Sequence, residues 1–368
     1  MKIFAFYLPQ FHVIPENNKW WGENFTEWVN VKKSQPLFLN HNQPRVPLNK
    51  NYYNLLDKNT LTWQAELLKK YNIDGLCFYH YWFTGKQLLE KPAEILLNNK
   101  EIDIPFFFSW ANEPWTRSWD GLNKNILMDQ TYGEYSDWVD HFNYLLPFFK
   151  DKRYIKHNNY PIFVLYRSAN FPSCQEWMNC WRELAKINGI GDIHFVSSLT
   201  SFENDSRNLD FNAYLNFEPL NTLAHHMLLK PKVTLNEKLA NSISKRLNSL
   251  KNFINMDTKM VQKFKYNEVW ENILKKTFNQ NIYAGAFIDW DNTPRKKYSG
   301  SVAINSNPKQ FEIYFSKLYN KALKEGSPYI FINAWNEWAE GTYLEPDCKN
   351  HYKYLETIKE TTEKSNLL

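Results

Sequence analysis

Eight short runs of apolar, β-branched and aromatic residues recur along the chain, and most close on a cluster of polar and aromatic side chains. They are "KIFAFYL" (2–8), "GLCFYHYW" (75–82), "IPFFFSWAN" (104–112), "PIFVLYR" (161–167), "IHFVSSL" (193–199), "FNAYLNF" (211–217), "IYAGAFIDW" (282–290) and "YIFINAWNEW" (329–338). Unbroken apolar runs of this kind suit strands buried on both faces, as in a parallel sheet. Segments of helical period lie between most of them. In "TLTWQAELLKKYN" (60–72), Leu61, Leu67, Leu68 and Tyr71 are the apolar positions, with Lys69 and Lys70 outward; 134–150, 174–188 and 310–325 repeat the pattern. The alternation predicts one α/β domain over 1–368, a (β/α)8 barrel of the TIM type. An open doubly wound sheet is the alternative, but no GxGxxG follows a strand and the chain has only 11 glycines.

Two long interruptions, about 9–59 and 218–281, separate strand one from its helix and strand six from strand seven. Insertions in barrels tend to build the substrate face, so both are candidate walls of a cleft. The C-terminal ends of the strands, where barrel chemistry sits, carry Tyr7, Gln10 and His12; Tyr79, His80, Tyr81 and Trp82; Trp110, Asn112, Glu113 and Trp115. Further on they carry Tyr166 and Arg167; Asn216 and Glu218; Asp289, Trp290 and Asp291; and Asn336, Glu337, Trp338 and Glu340. The N-terminal ends carry little of the kind. Trp28, within the first insertion, joins the candidate substrate-binding set. His80 is either a ligand contact or a satisfied core histidine. Arg167 either touches substrate or holds a nearby carboxylate.

Composition sharpens this picture in one respect. Aromatic residues make up 17% of the chain, with 15 Trp and 22 Tyr, and such rings offer apolar faces to sugar C–H surfaces and polar tips to hydroxyls. The formal charge of +5 is spread out, with Lys-rich stretches such as "KLANSISKRLNSLKNF" reading as solvated faces, and no compact basic motif for nucleic acid appears. Cys77, Cys174, Cys180 and Cys348 lack zinc or redox spacing. The opening "MKIFAFYLPQF" reads as a first strand rather than a signal segment, and no apolar stretch has membrane-spanning length. The expectation is a soluble, cytoplasmic protein that needs no cofactor or metal. "DWD" (289–291) resembles the metal motif of nucleotide-sugar transferases, and no other metal spacing is present.

The sharpest candidate chemistry is "WNEWAEG" (335–341). On a helical turn Glu337 and Glu340 would share a face with Cβ atoms about 5–6 Å apart. Two carboxyl groups so close in an aromatic pocket cannot ionise independently, which yields an acid and a base from one residue type. Glycosidic bond cleavage needs that division of labour. Gly341 allows close approach of a sugar or of backbone.

"FAFYLPQFHVIPENNKWWGENFTEWVNV", "GLCFYHYWFTGKQLLEKP", "WANEPWTRSWDG" and "INAWNEWAEGTYLEPD" resemble the WbsX family of bacterial polysaccharide-biosynthesis proteins over nearly the whole chain. That family is similar to the glycoside hydrolase family 99 endo-α-mannosidases and endo-mannanases, most clearly in the last strand. The resemblance implies that Glu337 deprotonates a sugar 2-hydroxyl, which attacks C1 to give a 1,2-anhydro sugar. Glu340 would protonate the leaving group and then serve as base for the acceptor, with retention overall. Ala339 stands where the hydrolases carry histidine, which alters substrate contacts but not the carboxylate pair. "YLEP" (343–346) also matches, so Glu345 either lines the site or braces it.

The reading is a carbohydrate-active enzyme cleaving or transferring α-linkages of an oligo- or polysaccharide, free or lipid-linked, in surface polysaccharide or O-antigen metabolism, with peripheral membrane contact allowed. Alternatives are a transferase using a nucleotide- or lipid-linked sugar and a glycan-binding barrel without turnover.

Overall fold

The computed structural model describes residues 1–117, 122–200, 205–226 and 261–365. All eight apolar runs form strands: β1 (Lys2–Tyr7), β2 (Gly75–Phe83), β3 (Phe106–Trp110), β4 (Tyr160–Leu165), β5 (His194–Leu199), β6 (Ala213–Asn216), β7 (Ile282–Phe287) and β8 (Tyr329–Asn333). Each pairs in parallel with its sequence neighbours, and β8 returns to β1 with Phe4 opposite Phe331, so the sheet is a closed barrel. Every connection carries a helix except β5–β6, part of which lies outside the described residues. The Lys-rich stretch at 238–253 also lies outside them.

Local chemistry sets the helix boundaries. The helix Lys58–Lys70 begins two residues before its apolar pattern because the Asp57 carboxylate accepts from the Asn59 amide at 2.9 Å. Asn307 caps Pro308–Lys324 in the same way, through the Gln310 amide at 3.0 Å, with proline in the first turn. The buried faces carry the predicted residues, Leu61, Leu67 and Leu68 among them.

The barrel interior is aromatic. Phe4 of β1 meets Phe107 of β3 at 5.0 Å, Phe107 meets Phe331 of β8 at 5.8 Å, and Phe6 meets Phe217, just after β6, at 4.9 Å. These strands are not neighbours, so the contacts cross the interior and fix which parity points inward. Outward residues face helices: Phe163 of β4 and Phe195 of β5 pack on Trp181 and Trp177 of Cys174–Ile187. Among the described residues no helix is long and apolar enough to cross a membrane.

Candidate active site

Beyond β8 the chain makes a tight hairpin instead of a helix. Asn336–Glu337 pairs antiparallel with Thr342–Tyr343, around a 3₁₀ turn at Trp338–Glu340. Gly341 closes it at φ +66°, and a Cβ there would lie 2.8 Å from the Asp291 Cβ and 2.9 Å from its amide nitrogen. The close approach that needs this glycine is therefore protein backbone. The hairpin is tied to β1 by Asn336, whose amide accepts from Leu8 N at 2.7 Å and donates to Leu8 O at 3.0 Å, copying a strand pair with a side chain. Below it, the buried Glu345 accepts from Gln64, Trp335, Tyr53 and Trp338 at 2.7–2.9 Å. Glu345 thus braces both tryptophans of the motif.

The two glutamates meet at one cation. Arg295 donates from Nη1 to Glu340 at 2.6 Å, from Nη2 to Glu337 at 3.1 Å and from Nε to Glu27 at 3.0 Å. Neither Arg295 nor Glu27 stands out in the sequence. Arg295 lies in "TPRKK" after β7, and Glu27 opens the short helix Glu27–Lys33 of the first insertion. Three carboxylates around one guanidinium cannot all ionise cheaply in a buried site. Burial pushes the Glu337 carboxyl up to about 8, with the Glu340 and Glu27 charges adding to the rise and Arg295 opposing it. Glu27 is raised as well, chiefly by burial. The cluster therefore disfavours full ionisation, and burial makes Glu337 the carboxyl pushed towards its protonated form, beside the more exposed Glu340.

Arg295 is held from behind. Asp291 accepts from the Thr293 amide at 3.1 Å, His41 at 2.8 Å and Gln43 at 2.7 Å, while its own amide donates to the Glu340 carbonyl at 2.7 Å. Asp289 pairs with Arg45 at 2.8 Å, and Arg45 also reaches the Gly341 carbonyl. Both carboxylates of "DWD" thus have protein partners and brace the Trp338–Gly341 turn, and Trp290 is buried with its indole on Ser301.

Two cavities of about 620 Å³ and 680 Å³ meet at Tyr81, Pro114, Trp115 and Glu337 to form one cleft at the C-terminal face. Of the expected residues, Gln10, Tyr79, Tyr81, Glu113, Trp115, Glu337 and Glu340 line it, and Arg167 sits against Glu113 as its ion-pair partner. Gln10 Nε2 is buried without a hydrogen-bond partner among the described residues. Trp21, Tyr166 and Phe217 add aromatic wall.

Other expected residues lie elsewhere, and for Tyr7, His80 and Trp110 strand parity is the reason. Tyr7 points out of the barrel, its hydroxyl on Gln64 at 2.9 Å. His80 faces the helix Tyr135–Phe149, with Nε2 at 2.8 Å from His141 Nε2, and burial depresses its ring to about 3. Of its two readings, the core histidine is the one seen. Trp110 packs on Trp177 and His141. Asn112 clamps the Arg167 backbone with two bonds of 2.8 Å. Trp28 and Trp338 pack on each other at 5.5 Å, the former bonded to the Tyr53 carbonyl. His12 is buried and held neutral, its ring lowered to about 4 by burial. These residues shape the site from behind rather than line it.

The fold and this cleft define a (β/α)8 barrel with a carboxylate-lined cleft at its C-terminal face. The chain aligns over 99% of its length with 97% of a GH99 endo-alpha-mannosidase from Bacteroides thetaiotaomicron (TM-score 0.57, 16% identity). It aligns over 98% with 93% of a glycoside hydrolase-like protein (TM-score 0.59, 12% identity). The chain belongs to the family described as Glycosyltransferase WbsX, whose model matches residues 3–358. It is also similar to the uncharacterized protein WxcX of Xanthomonas campestris pv. campestris strain B100, with 33% identity over 363 residues, 97% of this chain and 49% of the relative. The chain thus spans about half the length of that curated relative.

Proposed function

We propose that the protein cleaves or transfers α-glycosidic linkages with retention, through Glu337 and Glu340, in the metabolism of bacterial surface polysaccharide on the cytoplasmic side. One observation carries this reading: two glutamates bridged by one buried arginine, at the C-terminal mouth of the barrel, in a cleft walled by Tyr79, Tyr81, Tyr166 and Trp115. The aromatic faces hold sugar rings.

Glu337 takes the proton of the sugar 2-hydroxyl, O2 attacks C1, and the C1–O bond to the leaving group breaks as Glu340 protonates that oxygen. A 1,2-anhydro sugar results. Glu340 then removes the proton of the incoming hydroxyl as its oxygen attacks C1, the three-membered ring opens, and O2 recovers its proton from Glu337. Water as acceptor gives hydrolysis and a sugar hydroxyl gives transfer, both with retention.

The base role requires an ionised Glu337, so the raised carboxyl has a kinetic signature. The pH dependence of kcat/KM reports groups of the free enzyme, and its acidic limb is expected near pH 8. A basic limb there instead would make Glu337 the acid and reverse the two roles.

The family description favours a second reading, in which a donor already activated as a nucleotide- or lipid-linked sugar is used. Product analysis on a panel of α-linked oligosaccharides, with wild type and Glu340→Ala and without nucleotide or metal, separates the two. Retained anomeric configuration in the products, lost in the variant, supports the first. Turnover that starts only when a sugar nucleotide is added overturns it.

A further inference from the structure

The cleft does not end at Arg295. A third cavity, of about 1230 Å³, opens on the other side and runs past Asn30, Lys33 and Lys297. Trp21 and Arg295 line both this arm and the catalytic cavity, so the two lie side by side across these side chains. The wall changes sign along the way. Around the catalytic turn three carboxylates, Glu113, Glu337 and Glu340, line the space. Past Arg295 the charged lining side chains are lysines, and among the described residues no acidic one lines the arm.

Both lysines are exposed, and no ion pair among the described residues engages Lys33 or Lys297. Lys297 also has an unusual backbone, φ +47° and ψ −129°, directly after the short helix that carries Arg295. That region is sparsely populated by residues with a Cβ and suits glycine. Strained positions of this kind cluster at ligand contacts.

We infer that this arm binds an anionic group carried by the saccharide, a phosphate or diphosphate ester or a uronate carboxylate, with Lys33 and Lys297 as its cations and Trp21 as the ring platform leading to it. The inference rests on the reading that the catalytic cleft holds a saccharide. Ammonium groups suit such a ligand because they act as point charges that follow its oxygens. Arg295 is not the ligand's partner, since three carboxylates already engage it. Substrate would then lie with its reacting linkage among carboxylates and its charge beyond them, which fixes one direction of binding.

The test is calorimetric binding to the full chain of three probes built on one α-linked tetrasaccharide: neutral, ending in a phosphate monoester, and ending in a uronate. At low salt at least one anionic probe is expected to bind about tenfold tighter than the neutral one, the scale of one charge-assisted contact. Added salt should shrink the gap. The advantage should vanish in Lys33→Gln/Lys297→Gly, with the neutral Kd unchanged, and whichever anionic probe gains names the source of the charge. Lys297→Gly removes the charge while relaxing the backbone, so its Tm should equal or exceed the wild-type value. Equal affinities for all three probes, an advantage that survives in the double variant, or no binding of any probe would overturn the inference. Binding of the anionic probes without turnover of any α-linked substrate would instead sink the catalytic reading and leave this one standing.

Discussion

The turn after β8 has two buried polar centres, one on each side, and they are built on opposite principles. On one side Arg295 faces three carboxylates, Glu27, Glu337 and Glu340, and is outnumbered. On the other, the single carboxylate of Glu345 receives four neutral donors and is saturated. A saturated centre fixes geometry, because any movement breaks a hydrogen bond. An outnumbered one holds a proton it can give up, because the site is short of positive charge. On the proposed reading, chemistry and positioning are thus divided between the two sides of one turn.

The largest test of that division is on turnover. Glu337→Gln and Glu340→Gln are each expected to lower kcat about 10³-fold or more while leaving the fold intact, read by product assay and thermal melt. Wild-type-like turnover in both would remove the chemistry from this side. Next, Arg295→Met strips the guanidinium from the centre and should cost about 3–5 kcal/mol of stability in urea unfolding. A loss under 1 kcal/mol would mean that the carboxylates are already neutral.

The pH dependence of stability sharpens the contrast. Glu337 is raised from 4.5 to about 8 in the fold. Between those pH values the unfolded chain releases a proton that the folded chain keeps, so stability falls as pH rises and levels off above about 8. Glu345, raised by burial to about 7, adds loss of the same sign over the lower part of that window. Urea midpoints from pH 5 to 9 should fall for wild type and fall less for Glu337→Gln. The smallest effect is expected from Glu345→Gln, which turns an acceptor into a donor facing donors. It should cost about 1–3 kcal/mol and slow turnover far less than loss of Glu337, measured by the same melts and assays.

Much of the barrel was legible in the sequence because strands buried on both faces leave unbroken apolar runs, and each of the eight became a strand. The same property hid which residues face the cleft. When both faces are apolar, alternation leaves no polar mark, so Tyr7, His80 and Trp110 looked equivalent to Tyr79 and Tyr81. Parity, anchored on Phe4, Phe6 and Phe107 inside the barrel, sorts them once cross-barrel contacts are known. Arg295 and Glu27 were illegible for another reason. They are 268 residues apart in the chain, in short helices outside the strand ends, and basic "PRKK" reads as solvated surface. Only the fold brings them to Glu337 and Glu340.

The bond between Asn336 and the backbone of Leu8 has a consequence for synthesis. The two residues lie 328 positions apart, and β1 has no partner on its β8 side until Tyr329–Asn333 has been made. During translation the growing sheet therefore carries an open, apolar edge, a ready template for wrong pairing. The same event that closes this edge sets "WNEW" in place, so a nascent chain has no active site to misuse before it has a barrel. Any insertion or truncation that delays β8 is expected to appear first as aggregation on the ribosome's timescale, and only afterwards as lost activity.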